Sequence, residues 1–315
     1  MHLNSHTYYS FKYGTLSPQQ LAQAAHEAGL QHLVLTDINN TSCAYQFVQA
    51  CTARGIRPLL GMEFRTAQRP TNEDNPVTVF SIKDAKYAYT AIAQNKEGWR
   101  EICEWLTRHS LANEPVPPIA PDFRHVYVIY RKLPKPISEL RDNEFIGVRP
   151  GEVNHLFSSY LKQHQDKLVV FAPITFLDDT GYKTHKLLRC IDLNIVLGKL
   201  DAKHCAKASE RIYTTAELGQ LFAPYPQILD NTRQLIDSCT IEMHDTPLNN
   251  RQTFTGSLEG DMKLLSKLAI NGCIRRYGER NRKAMERTQK ELSVIEKLGF
   301  AAYFLITWDL SLIHI

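Results

Sequence analysis

The chain has 315 residues, 43% of them hydrophobic and 22% charged, and a formal net charge of +4 at neutral pH. That length serves one large domain or two smaller ones, and so mild a charge implies by itself neither a nucleic-acid binder nor a membrane protein. Seven scattered cysteines without a C-x-x-C pair argue against a zinc ribbon or disulfide scaffold and for reduced thiols in a cytoplasm; the apolar run LVVFAPITFL is about half a bilayer span, and the polar N-terminus has no signal-peptide character.

The opening stretch MHLNSHTYYSF carries His2, Asn4 and His6 at alternate positions. On an extended strand these three share one face, as the rim of a metal site would, although an asparagine amide is a poor ligand for zinc or manganese. TLSPQQLAQAAHEAGLQHLVLTD predicts a helix and then a strand. Ser17 is the N-cap, Pro18 opens the first turn, Gln20 completes a capping box, and Gly29 is the stop. Leu21, Ala24, Ala25 and Ala28 form the apolar stripe. HLVLT is a short buried strand ending at Asp37, CAYQFVQACTARG a helix to Gly55, and IRPLLGMEF a strand carrying Glu63. This alternation implies a parallel sheet with right-handed crossovers, in which chemistry sits at the carboxyl ends of the strands. His6, Asp37 and Glu63 fall at such ends, where polar residues are also common as simple turn-formers.

Alternation continues through the middle of the chain. VTVFSI (77–82), HVYVIY (125–130), EFIGV and KLVVFAP read as strands. DAKYAYTAIAQ, EGWREICEWLTRH, GEVNHLFSSYLKQH and GYKTHKLLRCIDLNIVLGKL read as helices, and the proline-rich ANEPVPPIAPD as an extended loop. About seven strand-like runs before residue 200 favour a closed or nearly closed α/β barrel over a small open sheet. Helical patterns then take over in TTAELGQLF and PQILDNTRQLIDSC. The polar, turn-rich DTPLNNRQTFTG marks a boundary, giving an expected barrel domain at 1–245 and a helical segment at 246–315. Two amphipathic helices follow, one with Leu264, Leu265, Leu268 and Ile270, the other with Met285, Leu292, Ile295 and Leu298. Residues 275–297 hold eight Lys or Arg and four Glu, which composition alone reads as a solvated helix face.

Several of these stretches resemble one known family. HLNSHTYYSFKYGTLSPQQL, LTDINN, GIRPLLGMEFR and IAQNKEGWREI are similar to the N-terminal PHP domain (polymerase and histidinol phosphatase) of bacterial DNA polymerase III alpha subunits. HKLLRCI resembles the helix after that domain's last metal-binding strand, and RTQKELSVIEKLGFAAYFLITWDL the segment that opens the polymerase palm. The resemblance implies a distorted (β/α)7-type barrel followed by a mainly helical segment beginning the palm. It also implies a cytoplasmic DNA polymerase with DNA as partner, a proofreading exonuclease subunit or sliding clamp as a further one, and Mg2+ at palm aspartates beyond residue 310. By itself the chain is then expected not to polymerise DNA. SLIHI, its last five residues, does not continue the family pattern, and Asp309 is expected to be structural.

The family's metal site looks decayed in this chain. Asn4 stands for the middle histidine of H-L-H-x-H, Tyr13 for an aspartate before glycine, and Ile38 for the histidine of T-D-H. Ala88, Val148, Pro173 and Thr175 stand near a histidine, a cysteine, an aspartate and a histidine of the pattern. His6 and Glu63 remain, with His2 and Asp37 as helpers, so the vestigial set is His2, Asn4, His6, Tyr13, Asp37, Ile38 and Glu63. A multinuclear phosphoesterase centre needs a full cluster of imidazoles and carboxylates. A metal-free scaffold is therefore expected, with Zn2+ or Mn2+ only if the site is intact. The competing reading is an active metal-dependent phosphoesterase or 3′–5′ proofreading exonuclease. Within the parent enzyme, Arg275, Arg276, Arg280, Arg282 and Lys283 are candidate contacts to DNA or nucleotide phosphates.

Overall fold

The computed structural model describes residues 1–66, 85–241 and 252–313. The chain divides into two compact units, Met1–Met243 and His244–Ile315.

The first unit is built on a six-stranded sheet in the order β1 (His32–Leu35), β2 (Arg57–Thr66), β3 (Lys86–Ala93), β4 (Val126–Tyr130), β5 (Glu144–Val148) and β6 (Leu168–Val170). The N-terminal segment closes it into a barrel. Thr36 N–H donates to Ser5 O on one side, and on the other His6 N–H donates to Ile174 O and Ile174 N–H to Asn4 O. Residues 4–6 thus bridge β1 and the chain leaving β6 without forming a regular strand, while residues 231 and 232 cover the outer edge of β6, Asn231 Nδ2 donating to Leu168 O and Thr232 Oγ1 accepting from Val170 N–H. The sheet is mixed, unlike the parallel one implied by the alternation. β3 runs antiparallel to both β2 and β4, and the other pairs are parallel.

Period-two alternation sorts the strand residues into layers. Val34, Leu59, Ile92, Ile129 and Val169 belong to one apolar cluster that also takes in Leu3, has Phe145 packed against it, and is completed by Leu235 and Ile236. Their neighbours Leu33, Leu35 and Leu60 pack with α1 (Pro18–Glu27) and α2 (Ala44–Thr52). Met62, Tyr89, Ala91, Val128, Ile146 and Val170 pack with Ile102 of α3 (Lys96–Ala112) and Ile228 of α6 (Pro226–Ser238). Each fully buried aliphatic side chain contributes about 1.5–3 kcal/mol. α1 carries the expected capping box of Ser17 and Gln20. Leu21 and Ala25 of the expected stripe are buried, together with Pro18 and Ala22, while Ala24 and Ala28 are half-buried. α4 (Asp179–Leu193) and α5 (Thr215–Leu221) complete the unit.

Three element expectations are corrected. DAKYAYTAIAQ is strand rather than helix over Lys86–Ala93, because alternate residues face opposite layers and tertiary packing overrides the helix propensity of its alanines. The proposed strand at 77–82 lies outside the described residues. GEVNHLFSSYLKQH forms 3₁₀ turns at Pro150–Ser158 and Tyr160–Gln163, its glycine and paired serines, after Pro150, being weaker helix formers than alanine or leucine. The helix expected to reach Leu200 stops at Leu193, where Asn194 adopts a left-handed conformation (φ 54°).

The second unit holds three helices, α7 (Leu258–Tyr277), α8 (Arg282–Leu298) and α9 (Ala301–Ile313). α7 starts at Ser257, and buried Asp261 accepts from the backbone N–H groups of Phe254 and Thr255, fixing the approach to the helix. α8 ends at Gly299, whose φ of 69° permits the tight turn into α9. Among the described residues no helix is long and apolar enough to cross a membrane.

Candidate functional site

At the barrel mouth, the carboxyl ends of β2, β4 and β5 surround a cavity of about 250 Å³. Each strand delivers an arginine there: Arg65 near the end of β2, Arg131 directly after β4 and Arg149 directly after β5. Glu63 and Arg65 stand two residues apart on β2, across a register shift between Phe64 and Arg65. The chain leaving β6 adds Pro173, and the loop after α4 adds Lys207 and Glu210.

A continuous polar chain runs round the cavity. Arg65 donates to Glu63 Oε1 at 2.6 Å, and Glu63 Oε2 lies 3.1 Å from His6 Nε2. His6 Nδ1 lies 3.0 Å from Thr175 Oγ1, which donates to Glu210 Oε2 at 2.8 Å; Arg149 Nη1 donates to Glu210 Oε1 at 2.9 Å. Burial opposes ionisation of Glu63, but the charge of Arg65, helped by His6, holds its carboxyl well below the usual carboxylate range. Burial pushes the Tyr13 hydroxyl up, and the Tyr13 ring lies under the Arg65 guanidinium at 4.4 Å. Gly147 on β5 has no Cβ to collide with Phe171, which one would meet at 2.7 Å. The Phe171 ring therefore lies against β5, with Arg131 and Arg149 over it at 5.1 and 6.0 Å.

The structure brings Asn4, His6, Tyr13 and Glu63 of the vestigial set to this cavity and places the other three elsewhere. His2 is buried with Nδ1 2.7 Å from Ala172 O, and its Nε2 accepts from Tyr213 N–H at 3.1 Å. Burial lowers its pKa to about 4. The expected common face of His2, Asn4 and His6 fails because residues 1–6 form no regular strand, only an isolated bridge at Ser5. Asp37 serves the backbone: its carboxylate accepts from Thr7 N–H, Thr7 Oγ1 and Ser10 Oγ, each at 2.7 Å, and so ties down the 7–10 turn. Ile38 is buried in a small cluster with Tyr13, Phe176 and Ala206. Val148 faces the outer core and fills no space at the cavity. Ala88 lines a second cavity of about 680 Å³ that shares Tyr13, Arg65, Arg131 and Arg149 with the first.

These donors do not fit a two- or three-ion centre. Among the described residues no three His, Cys, Asp or Glu side chains group as a metal-binding set. A guanidinium holds Glu63 Oε1, and the cavity's other carboxylate, Glu210, is held by Arg149. The residues missed from sequence are Arg65, Arg131, Arg149, Lys207 and Glu210; Thr175, read as standing at a former histidine place, joins His6 to Glu210. One signal was available for the arginines: MEFR, VIYR and IGVR each end a strand run in arginine.

In the second unit, Arg275 and Arg276 line a groove of about 430 Å³ with Leu265, Leu292 and Phe304. Arg280, Arg282 and Lys283 are exposed outside it.

Comparisons with known proteins agree with this division. The PHP domain family matches residues 2–170, and the family described as the bacterial DNA polymerase III alpha NTPase domain matches residues 263–313. DNA polymerase III subunit alpha of Halalkalibacterium halodurans is 24% identical over 98% of this chain and 29% of its own length. That of Bacillus subtilis is 21% identical over the same shares. An error-prone DNA polymerase of Symbiobacterium thermophilum is 24% identical over 98% of this chain and 31% of its own. The chain thus spans less than a third of the length of these relatives.

Proposed function

The chain belongs to the PHP domain family, and from that premise we propose that it is the N-terminal region of a bacterial replicative-type DNA polymerase, working in the cytoplasm. The observation that carries this reading is the union, in one chain, of a PHP barrel with a segment matching the polymerase III alpha family. In this reading nucleotidyl transfer belongs to magnesium-holding aspartates beyond residue 310, and residues 246–315 begin the palm. The barrel itself is a metal-free scaffold. Its apolar interior supplies rigidity, and its outer face offers a docking surface for a proofreading exonuclease or a sliding clamp. Arg275 and Arg276 serve as phosphate contacts for the DNA that the assembled enzyme holds.

The metal-free state is supported by the Arg65–Glu63 pair, since a cation already neutralises the carboxylate that an ion would need. Elemental analysis after dialysis against zinc and manganese tests it. Less than one ion per chain is expected; two or more, lost on Glu63→Gln, would instead support a phosphoesterase or 3′–5′ exonuclease. For the polymerase assignment, the chain should bind primed DNA yet leave the primer unextended with Mg2+ and nucleotides. Extension would place the chemistry within these residues.

A further inference from the structure

The barrel mouth holds cations where a hydrolytic member of such a family would hold metal ions. We propose that it is a metal-independent binding site for a phosphate group, with guanidinium and ammonium groups supplying the positive charge. The inference rests on the metal-free reading of the site.

Charge is the first argument. The inner cavity is lined by Arg65, Arg131, Arg149 and Lys207 against Glu63 and Glu210, an excess of two positive charges that matches a dianion. The adjoining cavity adds Lys86, Lys132 and Lys203. Glu152 and Asp201 hold Arg131 and Lys203 from outside the cavity walls, and even with these counted, seven cations face four carboxylates among the described residues. The existing pairs do not exhaust the donors. Arg149 holds Glu210 through Nη1, and a guanidinium has five N–H donors in a planar fork suited to phosphate oxygens. Glu152 holds Arg131 through both its oxygens and Glu210 holds Arg149, with the Phe171 ring 5.1 and 6.0 Å from the two guanidinium carbons, so both are positioned before any ligand arrives.

Asn4 supplies an independent argument. It is fully buried, and its Nδ2 donates to Glu63 Oε2 at 3.0 Å, which sets the orientation of the amide. Its Oδ1 lacks a hydrogen-bond partner among the described residues, in a side chain that lines the inner cavity. A buried acceptor beside a cationic cavity calls for a ligand that is anionic yet carries a hydroxyl donor. Hydrogen phosphate has both; sulfate at neutral pH has the charge without the proton. A phosphate monoester dianion, like sulfate, lacks that proton.

Calorimetric titration of the chelator-treated chain tests the site, with sodium phosphate, sodium sulfate and a deoxynucleoside monophosphate as probes. Phosphate should bind one per chain, about tenfold more tightly than sulfate, the scale of one charge-assisted hydrogen bond. Asn4→Ala should bring phosphate and sulfate within about twofold of each other. Arg149→Gln should weaken phosphate by about tenfold or more. Because that change leaves Glu210 without its guanidinium, exposed Lys207→Gln is the control that keeps the fold, with a loss of about threefold. The deoxynucleoside monophosphate, a dianion without that proton, should bind no more tightly than sulfate; a monophosphate bound more tightly than phosphate would overturn the role given to Asn4 Oδ1. Equal binding of phosphate and sulfate, or no heat at all from a folded metal-free chain, would overturn the site while leaving the scaffold reading intact. Phosphate binding that appears only with zinc or manganese, at two or more ions per chain, would overturn both.

Discussion

The two units use the same kind of residue in opposite ways. In the barrel, the side chains of Arg65, Arg131 and Arg149 are 13%, 17% and 21% exposed, and each holds a carboxylate within 3 Å. In the helical unit, Arg275, Arg276, Arg280, Arg282 and Lys283 are exposed on and between α7 and α8. An enclosed cation is costly unless paired, so those in the barrel are built into the architecture. An exposed cation is hydrated and screened by salt, so those on the helices add little stability and remain available to long-range partners such as a phosphate backbone.

The sharpest way to break this contrast is Glu63→Gln. Arg65 would stay buried without its counter-charge, and His6 and Asn4 would face a neutral amide, so a loss of about 3–5 kcal/mol is expected in chemical denaturation. A loss below about 1 kcal/mol would mean that the enclosed charges act like exposed ones. Because the Glu63 carboxyl is held below its ordinary value of 4.5, its contribution is complete above that pH and is lost only as the pH falls towards the folded value.

Buried histidines sharpen the contrast in a higher pH window. His2 and His185 both have pKa values lowered from 6.5 to about 4, chiefly by burial. Their folded values lie below their unfolded ones, so their contribution is full above pH 6.5 and is lost as the pH falls to about 4. On the order of 2–3 kcal/mol per ring should disappear across that window. His2→Gln should flatten the curve, and an unchanged slope would remove His2 from the account. The smallest expected effect lies in the helical unit. The double substitution Arg275→Gln, Arg276→Gln should alter thermal stability by about 0.5 kcal/mol or less. It should lower the slope of log affinity for DNA against log salt by about 1–2. A large stability loss with an unchanged salt slope would make these arginines structural.

Much of the architecture was legible in the sequence because local rules and global packing agreed. Ser17 and Gln20 cap α1 as read, HVYVIY and EFIGV are strands, and the helical character after residue 214 holds through α5, α6, α7 and α8. Reading failed where tertiary contact decided the outcome. β3 carries helix-forming alanines yet is held between β2 and β4. His2 and Asp37 are ligand types on either side of His6, but backbone groups of the folded chain had already engaged them. Glu210 was invisible, since nothing in its own neighbourhood shows that Thr175 and Arg149 will meet it.

Closure of the barrel by residues 4–6 also sets a clock. The partner of that segment lies near Ile174, and His2 reaches across 170 positions to Ala172. At a synthesis rate of roughly 5–20 residues per second, about 10–35 s pass before that segment has both neighbours. Throughout that interval, the side of residues 4–6 that will meet Ile174 is unpaired backbone, and Leu3 lacks its neighbours Val169 and Phe171. So long a loop also makes closure a late and slow event in refolding. A nascent chain of this design is therefore exposed to chaperones, and to aggregation, at residues 3–6 until residue 174 has been made.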